Sequence, residues 1–160
     1  MAALPDDLHR RLSGLDADNY ASLAIVVCTI DAEGWPHPAM LSYFEVAAID
    51  AHTLHLAVYN DSRTCANMRE RGKATLIVVD HGLVSYIRGP VSPLAPAMTS
   101  APYNAALVMQ VEQVVFDEAP PDLEPGAFIT GGITYRARTG ASLDTARAVL
   151  AELRRSGREG

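Results

Sequence analysis

Apolar residues recur at every second position through the middle of the chain, and that period of two predicts strands. Leu54, Leu56 and Val58 line one face of such a segment. Ser22 to Ile30 is an apolar, β-branched run with no polar face, which predicts a strand covered on both sides, by core on one and by a helix or second subunit on the other. Asp31-Ala32-Glu33-Gly34 supplies hairpin turn chemistry. Trp35-Pro36-His37-Pro38 then leads into a strand through Val46, with Met40, Ser42, Phe44 and Val46 on one face and Leu41 and Tyr43 on the other. Ala74 to Val79 is continuously apolar and predicts a fully buried strand, which Asp80-His81-Gly82 turns into Leu83 to Arg88. From Gly89 to Asn104 the chain carries Pro90, Pro93, Pro96 and Pro102, and reads either as an edge strand interrupted by prolines or as a loop flanking a site. Leu107, Met109 and Val111 alternate, and the phase then switches to Val114 and Phe116; a one-residue bulge near Glu112 and Gln113 explains the switch. The acidic, Pro-rich piece Asp117 to Pro125 is a loop, and Phe128 to Arg138 reads as a last strand interrupted by Gly131 and Gly132.

Three stretches carry a helical period instead. Leu4, Leu8, Leu12 and Leu15 make an amphipathic N-terminal helix within residues 1–20, with Pro5 in its first turn and Asp6 and Asp7 at its positive end. Between Tyr59 and Gly72, Asp61 or Ser62 can cap a short helix whose stripe is Cys65, Met68 and Ala66, and Gly72 stands where a left-handed residue closes it. Ser142 caps a C-terminal helix spanning 142–156, with Leu143, Ala146, Val149, Leu150 and Leu153 as its stripe and a frayed tail beyond it. Strands at short spacing without strand–helix alternation exclude a doubly wound parallel sheet. They favour a mainly β fold, a six- or seven-stranded antiparallel barrel with N-terminal, crossover and C-terminal helices, as one domain over 1–160.

Composition narrows the chemistry. A net charge of -6 argues against nucleic-acid binding, and the local cluster Arg63, Arg69, Arg71 and Lys73 suits one phosphate better than a duplex. Cys28 and Cys65 read as reduced thiols rather than a disulfide framework, and no zinc spacing occurs. The first residues lack signal-peptide character and no run reaches membrane-spanning length, so the expected location is the cytoplasm. His52 and His55 are an odd number of residues apart on a strand, on opposite faces, and cannot chelate one metal together; no metal site is expected.

The odd residue is Arg63. A cation in a first helical turn faces the positive end of the dipole, which is unfavourable by up to roughly 1 kcal/mol unless an outside anion reverses the sign. Ser62 and Thr64 bring hydroxyls to the same turn, beside unpaired backbone N–H groups, and together these make a phosphate cradle. The competing reading has Ser62 as an ordinary cap and Arg63 in solvent or paired with Asp61. On spacing alone capping is the simpler account.

The stretch from Val26 to Asp80 resembles the flavin-binding split β-barrel of the pyridoxamine 5'-phosphate oxidase-like proteins. The residues that carry it are Thr29-Ile30-Asp31, the Gly34-Trp35-Pro36-His37 hairpin, Pro38-Ala39-Met40-Leu41-Ser42, and Ser62-Arg63-Thr64 three residues before Asn67. The resemblance implies a homodimer with flavin mononucleotide (FMN) at the subunit interface. Met40, Leu41 and Ser42 would run beside the isoalloxazine edge, Ser62, Arg63 and Thr64 would hold the phosphate, and Asn67 would lie one helical turn further on. Thr64 stands where many relatives have a second basic residue, which weakens the implied grip, but the resemblance still overturns the capping account of Arg63. It implies a flavin-dependent oxidoreductase acting on a small organic substrate, with a non-catalytic carrier or sensor of flavin, haem or deazaflavin as the alternative. A haem would draw on His37, His52, His55 or His81. No catalytic residue stands out: His37, Tyr43 and His81 are the candidate acids or bases, each with a structural reading, and Arg136 and Arg138 either reach a substrate or sit solvated on an edge strand.

Overall fold

The computed structural model describes residues 2–156. In chain order the elements are α1 (Asp6–Leu12), β1 (Ala24–Ile30), β2 (Pro36–Ser42), β3 (Val46–Ala48), β4 (Thr53–Tyr59), α2 (Arg63–Arg71), β5 (Lys73–Asp80), β6 (Leu83–Ala95), β7 (Asn104–Gln110), β8 (Gln113–Phe116) and α3 (Gly140–Ser156). A 3-10 turn, Ala17–Tyr20, stands between α1 and β1.

Every strand pairing is antiparallel, along the path β2-β1-β5-β6-β7-β4-β3, with β8 added beside β6. The two strands at the ends of that path, β2 and β3, are consecutive in sequence and separated only by Tyr43-Phe44-Glu45. The sheet therefore has to curl, yet these two strands share no ladder and it stays open along the seam between them. Its inner side is one apolar cluster in which Ile25, Val27, Leu76 and Ile87 from one half meet Leu54, Leu56, Leu107 and Met109 from the other. Fully burying side chains of this size contributes about 1.5–3 kcal/mol each, which is what holds the two halves together.

Strand β6 spans both halves. Its first part pairs with β5 on one edge and β8 on the other, and its last part pairs with β7. Only Gly89 and Pro90 of the Pro-rich stretch continue a central strand; Val91 to Ala95 pair with β7 alone, as the proline-interrupted edge strand, and residues 96–103 are loop. Lys73 of β5 faces Pro90, so β5 no longer runs alongside by the time Pro93 is reached, and the missing N–H costs no ladder bond there. Opposite β6, three residues, Gln110 to Glu112, stand against two, Gly89 and Pro90. This is the one-residue bulge the phase switch predicts, and it turns Val114 toward the core that Met109 and Val111 already line. Gly89 is required beside it, because a Cβ there would lie 1.7 Å from the Gln110 carbonyl oxygen.

The helices close the ends of the core. α1 buries Leu8 and Leu12 where β4 begins and β5 ends, with the Leu4 N–H donating to the Ala51 carbonyl at 2.7 Å. α2 buries Cys65 and Met68 at the opposite end, and α3 packs Val149, Leu150 and Leu153 against Phe44, Ala47 and Ala57. The outer face of β2, β1 and β5 has no helix over it among the described residues. There Val26 and Ile77 are half-buried, while Ile30 is 43%, Met40 56% and, at the hairpin tip, Trp35 71% exposed.

Several expectations need correction. Among the described residues there are eight strands rather than six or seven, since the run from Pro36 to Val46 breaks at Tyr43–Glu45 and the run after Asn104 breaks at the bulge. Phe128 to Arg138 is irregular: only Thr134 bridges, to Leu23, while the Ile133 carbonyl takes the Ala24 N–H at 2.9 Å. The N-terminal helix is shorter than 1–20, because Gly14 at φ 86° ends it and leaves Leu15 exposed; Pro5 is its N-cap. α3 starts at Gly140, so Ser142 lies within its first turn rather than capping it. Met1, and the tail beyond Ser156 expected to fray, lie outside the described residues. No helix among the described residues is long and apolar enough to cross a membrane.

Candidate functional site

The turn that opens α2 is built by Ser62. Its hydroxyl oxygen accepts from the Cys65 N–H at 3.1 Å while its own proton goes to the Tyr59 carbonyl at 2.7 Å, so the cap is filled from within the chain. At the other end Gly72, at φ 64°, donates its N–H to the Met68 carbonyl at 2.9 Å. Thr64 is buried beside the cap. Asn67 is buried too and spends its amide inside the protein, donating to Thr29 Oγ1 at 2.9 Å and accepting from Arg71 Nη2 at 2.8 Å. It ties α2 to β1. Arg71 is further engaged by the Ile30 carbonyl, and Arg69 reaches the Asn60 carbonyl at 3.4 Å. Arg63 is exposed and enters no ion pair or side-chain hydrogen bond among the described residues, Asp61 included.

The residues of β2 are sent three ways. Met40 lies on the uncovered outer face, Leu41 points into the core, and Ser42 is buried at the strand end. The Ser42 N–H donates to Glu45 Oε1 at 2.8 Å, and the Phe44 N–H donates to Ser42 Oγ at 3.3 Å, which folds the seam turn back on itself.

Ser42 also lines a cavity of about 390 Å³ between this turn and the start of α3. Glu45, Tyr59, Tyr103, Asn104 and Arg138 complete its polar wall. Burial pushes the Glu45 carboxyl above the usual carboxylate range; the Ser42 N–H and the Arg138 guanidinium, 3.7 Å away, pull it back without cancelling that. Asn104 is 3% exposed and its Oδ1 has no hydrogen-bond partner. The loop carrying Tyr103 is fixed to the approach of α2, since the Asn60 N–H donates to the Tyr103 carbonyl and its Nδ2 to the Pro102 carbonyl, both at 2.8 Å. The cavity therefore sits beside the Ser62–Arg63 turn.

Sequence reasoning singled out Ser42 and Arg138 but missed Glu45 and Asn104. A lone carboxylate between Phe44 and Val46 was the available signal for the first. Asn104 reads as the polar start of an apolar strand, with nothing local to mark its burial. Arg136 is exposed.

The other candidates are held by the fold. His52, His55 and His81 each set a ring nitrogen against a backbone carbonyl, of Ala2 at 3.0 Å, Leu153 at 3.0 Å and Thr130 at 3.2 Å. His37 is half-buried on β2. Burial raises the Tyr43 phenol, partly offset by Arg11, which donates to its oxygen at 3.3 Å. Among the described residues no three His, Cys, Asp or Glu side chains gather as a metal site.

Comparison with known proteins places this arrangement. The family model described as pyridoxamine 5'-phosphate oxidase matches residues 15–135, which is most of the chain. The chain belongs to the pyridoxamine 5'-phosphate oxidase family. The matched residues run from just after α1 to the bridge at Thr134, so the family segment contains the α2 turn and the Ser42, Glu45, Tyr59, Tyr103 and Asn104 side of the cavity, but neither Arg138 nor α3. An uncharacterized protein of Bacillus subtilis, YclD, is 30% identical over 93 residues, covering 58% of this chain and 60% of that protein. Similar solved structures include a putative pyridoxamine 5'-phosphate oxidase from Lactobacillus delbrueckii, with 15% identity and a TM-score of 0.54 over 71% of this chain and 93% of that one. HupZ from Group A Streptococcus gives 18% identity and a TM-score of 0.52 over 72% and 95%. At these identities the likeness is one of fold.

Proposed function

We propose that the protein binds FMN and works as a small flavin-dependent oxidoreductase on a modest organic substrate, as a cytoplasmic homodimer of single-domain chains. The observation that carries this is Arg63: an exposed guanidinium with no partner among the described residues, in the first turn of a helix whose cap is already filled by Ser62. Such a donor fits a phosphate, to which charge-assisted bonds contribute roughly 1.5–3 kcal/mol each. Arg63 and the backbone of the Ser62–Thr64 turn would hold the phosphate end, and the β2 backbone from Met40 to Ser42 would lie beside the ring system. The bare apolar face of β2, β1 and β5 fits a second subunit, which would complete the groove and cover the split barrel's open seam. When bound, the flavin supplies the hydride and electron transfer; the chain supplies placement and exclusion of water.

The visible spectrum of the protein as isolated tests this directly. Flavin absorption, with FMN released on denaturation, is the expected result. A colourless preparation that does not take up added FMN, or a pigment with the spectrum of a haem or a deazaflavin, overturns it.

A further inference from the structure

The outer face of the open sheet carries opposite charges at its two ends. Its middle is a single apolar row across five strands, Met40, Val26, Ile77, Tyr86 and Val115, each paired with the next. One step along the strands lies the row Cys28, Thr75, Arg88 and Gln113, and Lys73 follows on the same face, two residues from Thr75. Lys73 and Arg88 are therefore diagonal neighbours, with Cβ atoms about 7–8 Å apart. They line a cavity of about 340 Å³ whose wall holds one carboxylate, Glu112. One step the other way the face ends in acid. Asp117 stands beside Val84, donating its N–H to the Val84 carbonyl and accepting the Tyr86 phenol proton on its carboxylate. With Glu118 and Glu124 it lines a second cavity, of about 520 Å³, whose wall holds no cation. Four residues of β6 separate Arg88 from Val84, about 13 Å of strand. Neither end is neutralised within the chain: Lys73, Arg88, Asp117, Glu118 and Glu124 are all exposed and enter no ion pair among the described residues.

An apolar stripe between unlike charges is complementary to itself in one orientation. Two copies packed face to face are related by a two-fold axis lying between them, and every contact occurs twice. With that axis across the strands, along the apolar row, stripe meets stripe and the basic end of each copy comes over the acidic end of the other. With the axis along the strands, like charges meet at both ends, an arrangement that electrostatics rejects. We infer that a second copy of this chain docks on this face with the axis across the strands, the Lys73–Arg88 cavity of each copy receiving the acidic segment from Asp117 to Glu124 of the other. This deepens the homodimer of the proposed function and rests on it: the apolar row supplies the burial, and the two charged ends set the orientation.

Sedimentation equilibrium of the full chain tests the arrangement. The wild type is expected to dimerise, with a dissociation constant that rises about tenfold between about 50 and about 500 mM salt. Lys73→Glu with Arg88→Glu in one chain, and Glu118→Lys with Glu124→Lys in another, should each weaken self-association about 100-fold or more, since each reversal acts at both symmetry-related contacts. An equimolar mixture of the two should form a heterodimer within about tenfold of wild-type affinity, because both contacts then join unlike charges again. That recovery also shows that both chains fold. The milder pair Lys73→Gln with Arg88→Gln should flatten the salt dependence, and wild-type salt dependence in it overturns the arrangement. So does a wild-type dimer that neither reversal weakens, or reversed chains that keep the wild-type melting temperature yet do not associate when mixed; in these cases the homodimer itself still stands. A wild type that stays monomeric overturns both. Flavin absorbance of the same samples reports on the cofactor separately.

Discussion

Two arginines stand at opposite ends of the core, and the chain treats them differently. Arg11, on α1, donates to Asp80 at 2.9 Å and to the Tyr43 oxygen at 3.3 Å, and lies 4.6 Å over the Tyr20 ring, which itself stacks on Tyr43 at 4.7 Å. Arg63, on α2, meets none of this. The same side chain is structural where its charge is answered within the fold, and is free for another role where the fold leaves it open. The ends of the core differ accordingly: α1 ties its arginine into the protein, and α2 leaves its first-turn arginine exposed.

The sharpest way to break that contrast is to remove the outward cation. Arg63→Ala should weaken FMN binding by about 10- to 100-fold in a fluorescence titration, with stability within about 0.5 kcal/mol of wild type. Unchanged FMN affinity would make the two ends equivalent. Removing the inward cation should do the converse: Arg11→Met is expected to cost about 1.5–3 kcal/mol in chemical denaturation, since it strands Asp80 and the Tyr43 oxygen, and to leave FMN uptake intact. A smaller, pH-dependent effect follows from Glu45. Its folded-state carboxyl is raised by burial, so the folded chain holds that proton more tightly than the unfolded chain does. The resulting stability is complete below the ordinary carboxylate range and is lost as the pH rises through the folded value. Glu45→Gln does not titrate, so denaturation midpoints at pH 4 and pH 8 should show the variant gaining on wild type at the higher pH. A constant difference between the two would mean that Glu45 is not held in its raised state.

How far the sequence foretold this depends on whether the cause was local. Ser62, Gly72 and the bulge after Gln110 were legible because caps and phase switches are set by neighbouring residues. The break at Tyr43–Glu45 was not, since Tyr43 to Val46 keeps a strand-like alternation, and the turn is made by bonds that close on Ser42: its N–H to the Glu45 carboxyl, its Oγ from the Phe44 N–H and its carbonyl from the Glu45 N–H. Phe128 to Arg138 failed for the opposite reason: its residues suit a strand, but the neighbouring backbone offers it a single bridge. At the site, Arg63 could be singled out by its misfit with the helix dipole. The cavity could not, because Ser42, Asn104 and Arg138 converge only through tertiary folding.

The bulge has a further consequence for how the chain tolerates change in length. One surplus residue among Gln110, Val111 and Glu112 decides which way every later side chain of that ribbon points. Deleting Glu112 would invert the ribbon and expel Val114 from the interior, whereas trimming the exposed loop from 118 to 126 would leave the pattern in phase. Evolutionary drift in this protein should therefore accumulate as insertions and deletions in that loop, and stop abruptly at the three residues facing Gly89.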